Sequence, residues 1–166
     1  MPLFALLPAL LILGAGAVRS APNPRFDVVE TGIPELRRAL VQGRVTSVQL
    51  VQAYLARIDR YNPLLKAAIS VNPRAREDAA VLDRERARGR VRGPLHGIPV
   101  AVKDNIQTLG MPTTGGALAF RGWVAPYEAT VVAHLRTAGA VILAKTTLTE
   151  LANWVAEDMP NGYNPV

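Results

Sequence analysis

The chain has no cysteine, which excludes disulfides and thiolate metal sites. Its two histidines, His96 and His134, are too few for a multi-histidine zinc site, and no cluster of carboxylates stands out as a ligand set. Serine is scarce as well. Only Ser20, Ser47 and Ser70 occur: one near the start, one in the first turn of a helix and one on a strand. None lies in a glycine-rich turn that would present a hydroxyl beside backbone N–H donors, and neither S-x-x-K nor G-x-S-x-G is found. Aromatic residues make up 5% of the chain, and internal repeats are absent. A G-x-G-x-x-G pattern is missing, which leaves Gly115-Gly116 as weak evidence for a nucleotide. Lys145-Thr146 lacks the preceding glycine and the long loop of a phosphate-binding lysine.

What remains is a chain of 166 residues, 49% of them apolar, enough for one domain with a real core. The longest apolar block, Leu3 to Leu13 (LFALLPALLIL), is too short to span a bilayer and suits the apolar region of a secretory signal. Small residues follow, with Ala15-Gly16-Ala17 and Val18-Arg19-Ser20 as cleavage candidates. A basic leading region is missing, so an uncleaved anchor or a misassigned start are the alternatives. The reading places a signal at 1–20, a linker at 21–32 and the folded part at 33–166, with an exported, periplasmic or extracellular product and no membrane span after cleavage.

The net charge is +6, and much of the excess lies between Arg74 and Arg92. Its alternating signs read as a solvated helix face laced with i,i+4 pairs. The competing reading, a nucleic-acid or anionic-surface patch, lacks interleaved aromatics, so no nucleic-acid partner is expected.

Helix and strand signals alternate. Thr31 is placed to cap a helix with Pro34 in its first turn, Leu36, Ala39 and Leu40 on one face, and Gly43 at its end. Thr46 and Gln49 form a capping box. The helix it opens carries Val48, Val51, Leu55 and Ile58 as an apolar stripe and is expected to stop at Asn62-Pro63. Ala67–Val71 reads as a strand. A charged helix then runs from Pro73 to Gly89, and Ile98–Lys103 is the next strand. After a Gly/Thr-rich loop, Thr130 is expected to cap a helix with Val131, Leu135 and Ala138 inward. Ala140–Ala144 is the third strand, and Thr147–Glu150 a second capping box opening a helix through Trp154. This order predicts α/β architecture with some parallel pairing. Three strands leave sheet edges open, and Val166 falls in a loop, so the chain is expected to be the front of a larger fold.

The stretch GPLHGIPVAVKDNI (93–106) ends an apolar strand on Lys103. Alternation puts Val100 and Val102 on one face, Ala101 and Lys103 on the other. Ligands of open α/β sheets collect at strand carboxyl ends. A lysine held there in dry surroundings gives up its proton more readily than a free one and can act as a general base. The same lysine can instead snorkel to solvent, or pair with Asp104 or another carboxylate.

The blocks GPLHGIPVAVKDNI, GMPTTGGALAF and LRTAGAVILAKTTLTELAN resemble, in order and spacing, the amino-terminal half of the amidase signature family, from about Ile33 to Val166. The resemblance implies a large α/β/α sandwich around a mixed sheet, with only its N-terminal part present here. It also implies amide hydrolysis by a Ser–cis-Ser–Lys triad, with no cofactor and a small-molecule amide as substrate. The family's G-I-P-x-x-x-K-D block carries the lysine's role onto Lys103. Both serines of the family lie in a Gly/Ser-rich segment downstream of the region matched, so the 166 residues supply the base without its nucleophile and are expected to be inactive alone. The alternatives are a non-catalytic remnant or binding module and, within the family, a protein resembling the amidase-like component of an amidotransferase. Around the lysine, Asp104 and Asn105 are expected to brace the turn, and Thr113 and Thr114 to fix the glycine-rich loop. Asn153 and Trp154 are candidates for lining a substrate cleft. His96 reads as a satisfied loop or core histidine, and Glu150 as a helix-capping carboxylate.

Overall fold

The computed structural model describes residues 26–152. Four helices, α1 (Ile33–Val41), α2 (Ser47–Leu65), α3 (Ala75–Ala87) and α4 (Thr130–Thr137), accompany three strands, β1 (Ala68–Val71), β2 (Pro99–Lys103) and β3 (Val141–Thr146). The strands order as β1-β3-β2. β1 pairs antiparallel with β3 and β2 pairs parallel with it, so the sheet is mixed.

β3 is the central strand, and its sequence suits that place. Val141 to Lys145 are all buried, the near-continuous apolar run of a strand covered on both faces. Val141, Leu143 and Ala144 pack on Val51 and Leu55 of α2 and on Ala75, Ala79 and Leu82 of α3. Ile142 packs on the opposite face with Val102, Met111 and Val132 of α4. A third cluster joins Leu36, Ala39 and Leu40 of α1 to Leu50 and Ile98.

The helix ends show where local rules gave way. The Thr46–Gln49 capping box forms with both reciprocal bonds. Thr31 does not cap α1: Gly32 holds that position, and the Thr31 hydroxyl donates to the carbonyls of Asp27 and Val29. Nor does Pro63 stop α2, which runs on to Leu65 and ends with Lys66 in the left-handed region. Asn62 is occupied instead by the next strand. Its amide donates to the Ala68 carbonyl at 2.9 Å and its carbonyl accepts from the Ala68 N–H at 2.8 Å. α4 has Ala129, not Thr130, at its cap, and its buried residue is Val132, with Val131 exposed. The second capping box does not form: the Thr147 hydroxyl donates to the Lys66 carbonyl, and Leu151 and Ala152 take positive φ.

The charged helix α3 keeps Ala75, Ala79 and Leu82 inward, but its charges reach to neighbours rather than pairing at i,i+4. Asp83 accepts the N–H groups of Ser47 and Val48. Arg86 donates to the His96 carbonyl at 2.6 Å, and Glu85 pairs with Arg92 in the following loop. Among the described residues, no helix is long and apolar enough to cross a membrane.

Candidate active site

The carboxyl ends of β2 and β3 lie side by side, with Val102 paired to Lys145 and Lys103 to Thr146. A register shift between Val100 and Ala101 sets Val100 opposite Ile142 but Ala101 opposite Ala144. Leu143 is thus an extra residue in β3, and the side chains beyond it change faces. Lys145 therefore turns to the face of Ile142 and Val102, under the Gly/Thr-rich loop. Lys103, next to Val102, turns to the other face and is exposed in the described chain.

The dry lysine of this sheet is thus Lys145. It is 0% exposed, with Nζ 3.0 Å from Asp104 Oδ1, 2.8 Å from Thr113 Oγ1 and 3.3 Å from the Pro112 carbonyl. Burial pushes its pKa below the ordinary lysine value, and the hydrogen bond and charge of Asp104 oppose that shift. The sequence pattern at Lys145-Thr146 presents this lysine only as a weak phosphate ligand. The available signal was the one already used for Lys103: an apolar strand, AVILAK, that ends on a lysine.

Asp104 follows Lys103 directly and is itself 0% exposed. Its Oδ2 accepts from Thr114 N–H at 2.9 Å and Thr114 Oγ1 at 2.5 Å. Its N–H donates to the Thr146 carbonyl, and its carbonyl accepts from Gly115 N–H. Asp104, Thr113 and Thr114 are thus brought together, tying the turn after β2 to the loop. Asn105 is exposed and lines a cleft of about 590 Å³ with Thr113, Thr114, Phe120 and Trp123. A second cleft of about 430 Å³ opens beside Asp104, Thr114, Ser70 and Arg121. The loop needs glycine at Gly116, whose φ is +73° and where an added Cβ would stand 3.0 Å from the Leu148 carbonyl.

His96 is buried, accepting from Arg92 N–H at Nδ1, which leaves Nε2 to donate to the Leu82 carbonyl at 2.9 Å. Glu150 begins a short 3-10 turn. Asn153 and Trp154 lie outside the described residues. Among the described residues, no group of three His, Asp or Glu side chains is placed to hold a metal ion.

This frame has relatives. The family model described as Amidase matches residues 49–164. The chain belongs to the amidase family. It is 39% identical over 165 residues to a probable amidase of Arabidopsis thaliana, covering 98% of this chain and 32% of that one. It is also 39% identical over 127 residues to a glutamyl-tRNA(Gln) amidotransferase chain of Streptomyces coelicolor, covering 76% of this chain and 26% of that one. Among solved structures, the peptide amidase of Stenotrophomonas maltophilia superposes with a TM-score of 0.77 at 46% identity, over 81% of this chain and 28% of that one. The chain therefore spans about a third or less of the length of these relatives, and its mixed α/β sheet is part of their fold.

Proposed function

We propose that this chain carries the lysine-bearing part of an amide hydrolase. The match of residues 49–164 to the amidase family, with Lys103 closing β2 in its G-I-P-x-x-x-K-D block, supports the reading. In the complete site, Lys103 accepts a proton through a bridging serine. The nucleophilic serine attacks the amide carbonyl, backbone N–H groups hold the oxyanion, and the amine leaves with a proton. Water then releases the acid and regenerates the serine. Ser20, Ser47 and Ser70 do not fit the serine roles: none lies in a glycine-rich turn, Ser47 is buried with its N–H on Asp83 of α3, and Ser70 sits on β1. The 166 residues alone are accordingly inactive on amides.

The substrate is a small-molecule carboxamide. Relatives named as glutamyl-tRNA(Gln) amidotransferases favour a second reading, ammonia transfer to an acyl-tRNA, which the leader-like start opposes. That start further leads us to propose export. Amino-terminal sequencing of the mature protein will find a new terminus after Ala17 or Ser20, and an intact Met1 would remove export.

The test of the catalytic reading is hydrolysis of simple carboxamides by the full-length protein and its Lys103→Ala variant. Loss of the base lowers kcat/KM by at least about 10²–10⁴-fold. Equal rates would remove Lys103 from the mechanism. Glutamine-dependent transfer without free-amide hydrolysis would favour the second reading.

A further inference from the structure

The amide-hydrolase reading gives work to Lys103 and none to Lys145, yet Lys145 is the lysine the fold encloses. Its ammonium has three N–H groups, and it faces three oxygens: Asp104 Oδ1, Thr113 Oγ1 and the Pro112 carbonyl. The carboxylate and the carbonyl can only accept. The Thr113 hydroxyl is directed at the Ile106 carbonyl at 3.5 Å, which leaves its lone pairs for Nζ. A neutral amine would be one hydrogen short of satisfying these acceptors, so the surroundings fit the charged form.

Each acceptor belongs to a part of the site. Asp104 is the residue after Lys103, fixed at its backbone to β3 through Thr146 and to the loop through Gly115. Pro112 and Thr113 begin the loop whose Thr114 closes on Asp104 and which separates the two clefts. Removing the ammonium would release both the turn that ends β2 and the loop beside it.

We propose that Lys145 is a positioning residue of this hydrolase: as a cation bound to Asp104, Thr113 and Pro112, it sets where Lys103 leaves the sheet and where the loop 112–116 stands, and exchanges no proton in the reaction. The proposal rests on the amide-hydrolase reading, and Lys103→Ala separates the two. If Lys103→Ala keeps wild-type turnover, the underlying reading fails.

The experiment measures kcat and KM on a simple carboxamide across pH in the full-length protein. Lys145→Met strands the Asp104 charge and risks misfolding, so the test variant is the double D104N/K145M, which removes both charges and leaves an oxygen for Thr114. Thr113→Val removes one acceptor as a milder second probe. A base displaced by about 1 Å loses on the order of 10² in rate. The expected result is a kcat lower by about 10- to 100-fold in the double variant, a smaller loss in Thr113→Val, KM little changed, and the acid limb of the pH profile at its wild-type midpoint. With Lys103→Ala inactive, wild-type kcat in either variant would overturn the positioning role. A displaced acid limb in either would show that Lys145 takes part in the proton transfer, and would overturn the proposal equally.

Discussion

Lys145 Nζ lies 3.0 Å from Asp104 Oδ1 with both side chains fully enclosed, while Lys103, the residue before Asp104, stands exposed on the other face of the sheet. Two lysines lie at the carboxyl ends of adjacent strands, Lys103 last in β2 and Lys145 next to last in β3, and one carboxylate links them through its place in the chain and its side-chain partner. The stability of the strand ends depends on the enclosed lysine.

Breaking that ion pair from one side leaves an uncompensated buried charge. Lys145→Ala or Asp104→Ala should each destabilise the protein by about 3–5 kcal/mol, whereas D104N/K145M should cost much less because both charges leave. Urea unfolding of the three variants measures this. Single variants within about 1 kcal/mol of wild type would show that the pair contributes little.

Lys145 also gives stability a pH dependence of predictable sign. Its folded pKa is lowered by burial from an ordinary 10.5. Below the folded value both states hold the proton, and the destabilisation from the enclosed charge is complete and constant. Between the folded value and 10.5 the unfolded chain holds more proton, so stability rises with pH. Above that, the penalty is gone. The difference in unfolding free energy between wild type and Lys145→Met should therefore climb through this alkaline window. A flat difference would exclude a lowered folded pKa.

Asp83 supports a helix from outside it. Its two oxygens accept the Ser47 and Val48 N–H groups at 2.8 and 3.0 Å, two of the donors that a helix start leaves unmatched. Asp83→Ala should destabilise by about 1–2 kcal/mol, and Asp83→Asn by less, since its one carbonyl oxygen serves only one donor. Thermal unfolding compares the two. Equal losses would mean that the one bond asparagine keeps contributes nothing.

Much of this frame is legible in the sequence. The Thr46–Gln49 box, the β2 alternation and the buried β3 run are local patterns, and local physics decides them. The errors arise where a distant group intervenes. Asn62 is bound by Ala68 while α2 carries Pro63 for two more residues, and Thr147 is turned toward Lys66 rather than toward its own helix start. The AVILAK run marks Lys145 as a lysine at a strand end, but not which face it takes. Strict alternation from Ile142 sends Lys145 to the face packed on α2 and α3, and only the extra residue at Leu143 in the pairing with β2 turns it under the loop to meet Asp104. A bulge is a property of two strands together and leaves little trace in either alone.

The glycines that start the two parallel strands separate conformational from steric cost. Gly139, just before β3, has φ +87°, and an added Cβ would stand 2.6 Å from His96 Cα. Its carbonyl accepts from Gly97 N–H at 2.7 Å, so the backbones entering β2 and β3 are pressed together with no flexible side chain between them to yield. Gly43, at the end of α1, has a similar φ of +68° but open space around it. Alanine at Gly43 therefore meets only the left-handed penalty of about 1–2 kcal/mol. Alanine at Gly139 meets that penalty and a backbone clash, adding about 1–3 kcal/mol. Denaturant unfolding of the two variants should show Gly139→Ala clearly the less stable, and because the displaced backbone leads into Ile98 and β2, its amide turnover should fall as well. Equal destabilisation would mean that the strand entrances are not in contact.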